Sequence, residues 1–189
     1  MDPALSPDRL LDDLLVTRAR AGRREAFEAL AVRWQERLWR HAFRLTGRED
    51  AAWDVLQESW MAIWRGLSGL REPGAFRRWA FTIVTRAAAE RRRSIPLEDD
   101  PTRASATDAT ELEAPPSRAD DPRAEAVAQL RIALERLPRE RRVLLSLFHL
   151  EGFEIWELAL ILDVPQGTVK SRLHHARNQL KDVLERMQR

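Results

Sequence analysis

Residues 94–121, "SIPLEDDPTRASATDATELEAPPSRADD", constrain the fold of this chain more than any other segment. Four prolines, many small residues and hardly any apolar ones leave nothing whose burial could offset the entropy cost of ordering the backbone. The stretch reads as a flexible acidic linker. A long surface loop inside one domain is the other reading, but structureless loops of that length are uncommon in compact domains. With 189 residues in all, the chain is therefore expected to form two small units, residues 1–93 and 122–189, each with its own core.

Charge follows the same division. Residues 1–93 hold 18 Arg against 13 acids, the linker holds 2 against 8, and residues 122–189 hold 12 Arg or Lys against 9, which gives +5, −6 and +3. Two basic ends around an acidic middle point to polyanion contact at the ends. Other chemistries find little support. Cysteine is absent and the four histidines show no ligand spacing, so no metal or other cofactor is expected. No nucleophile, base and orienting group occur at a usable spacing, so the chain is not read as an enzyme. No apolar run approaches the ~18 residues of a membrane span, and "MDPALSPDRLLDDLL" lacks the plan of a secretory signal, so a cytoplasmic protein without membrane insertion is expected.

Apolar residues recur at helical spacing on both sides of the linker, and no segment sustains a period of two, so the fold class is all-α. Ser6 and Pro7 predict the start of a helix running to about Arg20. Phe27, Leu30, Trp34, Leu38 and Leu45 form the stripe of a second, stopped by Gly47. A third turns Ala52, Val55, Leu56 and Ile63 inward and leaves Asp54, Gln57, Glu58 and Met61 on another face. The turn-forming "SGLREPG" then leads into "AFRRWAFTIVTRAAAERRRS", completing a bundle of about four helices, in which Trp79 reads as core rather than as a stacking platform. Beyond the linker, three helical segments punctuated by Pro138, Gly152 and Asp163 precede "VPQGTVKSRLHHAR".

In that last stretch Val169, Leu173, Ala176 and Leu180 share a narrow arc that must face a core. Gly167, Ser171, His174, His175 and Asn178 lie opposite, flanked by Lys170 and Arg177 on one side and Thr168 on the other. With the preceding helix and the tight turn into Pro165 this is a helix-turn-helix pattern, suited to a major groove. A plain helical hairpin with a solvated face would look similar. Residues 165–189 favour DNA, carrying six Lys or Arg against two acids. Adjacent His174 and His175 point in different directions and make poor joint metal ligands.

"GTVKSRLHHAR" and "LPRERRVLLSLFHLEGFEIWELALILDVP" resemble region 4 of bacterial extracytoplasmic-function (ECF) sigma factors of the sigma-70 family, and "EAFEAL", "RLTG", "VLQESWMAIWR" and "FRRWAFTIVTR" resemble region 2. The resemblance runs from about Leu14 to Leu184. It implies a subunit that binds core RNA polymerase through the β′ clamp and β flap, recognises promoter DNA, and has an anti-sigma factor as its usual regulator. Asp54, Gln57, Glu58 and Met61 then match the face docked on the clamp. Ser68 and Arg71 match the loop that captures a flipped −10 base, with Arg77, Arg78, Arg86, Arg91 and Arg92 beside the DNA path. Gln166, Gly167, Thr168, Lys170, Ser171, Arg172, His174, His175 and Arg177 match the face that reads the −35 element.

Three departures from the family pattern carry expectations. His175 stands where Arg is usual, which predicts an altered −35 preference, or an affinity that rises as pH falls toward ~6.5. Asp163 replaces the usual turn glycine, and the turn should survive because Asp tolerates the left-handed region better than most residues. Trp156 and Leu160 replace polar residues, predicting an exposed apolar patch for an anti-sigma factor or for the chain's own first domain. Trp34, Trp39, Trp53 and Trp60 read as compositional drift. Two rivals stay open: a repressor or activator that dimerises on a palindrome without touching polymerase, and a sigma-derived interaction module that does not initiate transcription.

Overall fold

The computed structural model describes residues 6–94 and 122–187, which fall into two compact units, one on each side of the acidic stretch. The linker assignment itself lies outside the described residues. Among them there is no strand, and eight α-helices account for nearly all of the backbone.

The first unit packs α1 (Pro7–Arg20), α2 (Arg24–Thr46), α3 (Glu49–Gly66) and α4 (Phe76–Ser94). Their ends follow from local chemistry. The Arg9 amide donates to the Ser6 hydroxyl at 3.4 Å with Pro7 opening the helix, and α2 stops where Gly47 turns left-handed at φ 74°. Val16, Leu30, Leu38, Ala52, Val55, Ile63, Ala80, Phe81 and Val84 are fully shielded from water. The inward stripes predicted for α2 and α3 are thus core, except that Phe27 and Leu45 are only half-buried. Trp79 is half-buried too, its ring packed against Gly66 and edge-on to Phe76.

Two polar groups lie in this core, and no hydrophobic pattern announces them. Ser59 returns its hydroxyl to the Val55 carbonyl at 2.6 Å. His41 is completely buried, its Nε2 2.9 Å from the Thr85 hydroxyl oxygen. That hydroxyl already donates to the Phe81 carbonyl at 2.8 Å, so Nε2 carries the imidazole proton and Nδ1 is left without a partner. Desolvation, with a smaller contribution from the Arg44 charge, pushes the His41 pKa down to about 3.

In the second unit α8 (Gln166–Met187) packs against α5 (Pro122–Glu135), α6 (Arg139–His149) and α7 (Ile155–Leu162). Leu144, Leu147, Phe153, Leu158, Ile161, Val169, Leu173 and Ala176 make its core, while Leu180, expected in the same arc, is half-buried. The Glu157 amide donates to the Glu154 carboxylate, and the Glu154 amide donates to Glu157 Oε2 at 3.0 Å, closing a capping box at the start of α7. Asp163 ends that helix at φ 53° with its amide on the Ala159 carbonyl, so the turn survives without glycine.

Candidate polymerase and nucleic-acid surfaces

The outward face of α3 is set by its inward one. Because Ala52, Val55, Leu56, Ser59 and Ile63 are buried, helical geometry sends Asp54, Gln57, Glu58 and Met61 to solvent together, and all four are exposed. Beside them α2 and α3 leave an open cavity of about 700 Å³, lined mainly by Phe27, Trp53, Leu56, Trp60, Met61 and Trp64. It adjoins a second of about 410 Å³, where Val32 and Trp39 meet Glu36 and Glu49, with Gln35 and Trp53 shared between the two. Trp53, Met61 and Trp64 keep 45–49% of their surface exposed although each is large and apolar. The tryptophans are therefore not drift: Trp34 is core, and Trp39, Trp53 and Trp60 with Trp64 build a groove. Helical spacing of Trp53, Trp60 and Trp64 beside the polar residues could have revealed it.

Residues Leu67–Ala75, between α3 and α4, form two short 3₁₀ turns, Leu67–Gly69 and Pro73–Ala75. Leu67 is buried, whereas Ser68, Gly69, Arg71, Glu72 and Gly74 are exposed. On α4, Arg86 and Arg92 reach solvent, but Arg77 and Arg78 are half-buried and Arg77 holds two guanidinium nitrogens away from water. Arg91 donates to Asp54 Oδ2 at 2.6 Å. The structure thus joins, in one partly exposed ion pair, two residues that the sequence assigned to different partners.

On α8, Gln166, Gly167, Lys170, Ser171, Arg172, His174, His175 and Arg177 are exposed and Thr168 is half-buried, so the predicted set shares one helix and one hydrated side. Asn178 Nδ2 lies 3.0 Å from His174 Nε2, and the Arg177 guanidinium stacks 4.9 Å from the Phe148 ring centre, engaging one of its faces. No group of His, Cys, Asp and Glu among the described residues could hold a metal ion. Trp156 and Leu160 are 42% and 52% exposed, one helical turn apart, and the Trp156 indole donates to Glu154 Oε2 at 2.7 Å.

The first unit is thus a helical bundle with an apolar groove, and the second a helix-turn-helix unit whose last helix exposes Lys170, Arg172 and Arg177, which places the chain in the class of helical DNA-binding proteins. Family comparison makes the class specific. Residues 30–95 match sigma-70 region 2 and residues 128–180 match sigma-70 region 4. The ECF RNA polymerase sigma-E factor of Salmonella typhimurium strain LT2 is 30% identical over 190 residues, covering 94% of this chain and 96% of that one. The corresponding factor of Haemophilus influenzae is 28% identical over 187 residues, 94% of this chain and 97% of the relative. With Mycolicibacterium smegmatis SigE the identity is 31% over 169 residues, and the match spans 84% of this chain but 62% of that protein. Two solved structures share the fold: CnrH in complex with the cytosolic domain of CnrY, with TM-score 0.62 at 23% identity over 93% of this chain and 97% of CnrH, and the Bartonella quintana sigma factor RpoE in complex with the anti-sigma factor NepR, with TM-score 0.60 at 23% identity over 84% and 96%. The chain belongs to the ECF sigma factors of the sigma-70 family, which are transcription initiation factors and not enzymes.

Proposed function

We propose that this sigma factor docks on the polymerase clamp through the α2–α3 groove, traps melted −10 DNA with the Leu67–Ala75 loop, and reads −35 duplex with the exposed side of α8. The observation that carries the reading is the contrast of surfaces: half-exposed tryptophans beside Asp54, Gln57 and Glu58 on one unit, and a hydrated cationic helix on the other. Large aromatic side chains at a groove suit a desolvated protein contact. Lys and Arg among compact hydrogen-bonding residues suit a phosphate backbone and base edges. A base extruded on melting must be caught to offset a few kcal/mol of lost stacking, and the exposed Ser68, Gly69 and Arg71 offer a small polar surface for it. The work takes place in the cytoplasm, on the bacterial nucleoid.

Trp156 and Leu160 supply a second protein contact, for an anti-sigma factor, since CnrH and the Bartonella quintana RpoE were both solved with protein partners. Unchanged inhibitor affinity in a Trp156→Glu, Leu160→Glu double variant would remove that assignment. The main reading is tested by transcription with purified core polymerase on a promoter library randomised at both elements, sequencing transcript 5′ ends. Defined start sites preceded by two motifs are expected. Start sites identical to those of core alone, with dimeric binding to duplex DNA, would instead identify a repressor.

A further inference from the structure

We propose that α1 braces the −10 loop and that Arg20 is the positioning residue through which it acts, an inference that rests on the loop's proposed role. The Leu67–Ala75 segment has few bonds of its own: the Leu70 amide donates to the Leu67 carbonyl at 3.1 Å and the Ala75 amide to the Glu72 carbonyl at 3.0 Å. Between those two turns the backbone is held from outside. Arg20, 51 residues earlier in the chain, donates Nη1 to the Arg71 carbonyl at 3.1 Å. It takes the backbone oxygen and leaves the Arg71 side chain exposed. One residue short of the loop's end, Asp13 of the same helix lies against Gly74, its Oδ1 3.8 Å from where a Cβ would stand.

The brace is itself anchored. Arg33 on α2 donates to Asp12 at 2.6 Å and to Asp8 at 2.7 Å, and the Trp34 indole donates to the same Asp12 oxygen at 3.1 Å. Val16 and Ala19, on the same side of α1 as Asp12 and Arg20, are buried. The start of the loop is pinned separately by Trp79, whose ring approaches within 2.9 Å of a Cβ placed on Gly66. Gly66 has an ordinary φ of −93°, so it is space rather than backbone conformation that demands glycine there. A pocket that discriminates between bases must hold its donors and acceptors to within about half an ångström. Arg20 supplies that constraint at the one stretch of loop where neither 3₁₀ turn does, and α1 lies outside residues 30–95 matched to region 2.

The test uses full-length Arg20→Met, Arg20→Lys and Gly66→Ala proteins as holoenzymes on the randomised promoter library. Arg20→Met should lower the ratio of best to second-best base at the captured −10 position about five-fold, within the range of one hydrogen bond, with −35 preferences unchanged. Arg20→Lys, which keeps a cationic donor, should restore most of the ratio, and Gly66→Ala should disturb the same position from the other side. In the free protein, Arg20→Met should speed hydrogen exchange at Leu70–Glu72 without lowering the melting temperature. An equal loss at all four bases would show Arg20 to be a phosphate contact or a stabilising residue and overturn the brace, as would an unchanged ratio. Wild-type holoenzyme without defined start sites would overturn the proposed function itself, and the brace with it.

Discussion

α3 and α8 obey one rule inward and opposite rules outward. Both bury a stripe at i, i+3 and i+4, Ala52, Val55, Leu56 and Ile63 in one and Val169, Leu173 and Ala176 in the other. Outward, α3 presents Trp53, Met61 and Trp64 with Asp54 and Glu58, whereas α8 presents Lys170, Arg172 and Arg177 among serine, histidine and asparagine. An apolar groove gains by expelling water and so favours a shaped protein partner. A hydrated cationic face gains by releasing counterions from a polyanion and so favours DNA. The inward stripe determines fold, and the outward residues are where the two proposed partners divide.

The largest expected effect breaks the comparison if it fails. Trp53→Glu with Trp64→Glu should weaken core polymerase binding by at least about thirty-fold, the scale of losing a hot-spot aromatic, while both residues are exposed enough for the bundle to keep its melting temperature. Co-elution with core polymerase measures it, and retained binding would separate the groove from polymerase docking.

Acid should distinguish the two units next. His41 is held near a pKa of 3 when folded against about 6.5 unfolded, so between those values the unfolded chain binds the extra proton. Its contribution is complete above pH 6.5 and is lost toward pH 3 at up to about 1.4 kcal/mol per pH unit. The histidines of the second unit, His149, His174 and His175, are all exposed. Urea unfolding from pH 7 to pH 4 should therefore show a decline in the first unit that His41→Leu flattens. An unaltered slope would show that His41 does not cause the acid sensitivity.

Smaller effects sharpen the DNA side. If each side chain contacts one phosphate, as proposed, Lys170→Ala and Arg172→Ala should each weaken −35 duplex binding about three- to ten-fold and reduce the salt slope by about one. His175→Arg should change the preferred base at one −35 position, because a guanidinium forks to guanine where an imidazole cannot. A library profile identical to wild type would remove His175 from base reading. Asp163→Gly should be the least consequential, a gain below about 1 kcal/mol from relieving a left-handed Asp, checked by thermal unfolding of the full chain.

Much of this was legible before any coordinates. Ser6, Pro7, Gly47 and Asp163 mark helix ends where the backbone turns, because caps and left-handed positions are local properties. The polar residues of α3 and α8 share their faces because 3.6-residue periodicity places them there. Where the reading fell short, the cause was long-range. The tryptophans read as drift gained their role when α2 and α3 came together as groove walls. Nothing in the local sequence linked Arg91 to Asp54, 37 residues away, or distinguished His41 from a surface histidine.

By itself the sequence determined an all-helical chain in two units, which faces are inward, where helices stop, and, through its motifs, the ECF sigma family. Those properties depend on residues a turn or two apart, whose geometry the backbone dictates. Only the tertiary structure decided that Arg20 reaches the Arg71 carbonyl, that Trp79 leaves no room beside Gly66, and that Trp53, Trp60 and Trp64 join Phe27 in one groove. Such contacts arise where helices distant in sequence pack together, and their distances are set by the volumes of all the side chains between them.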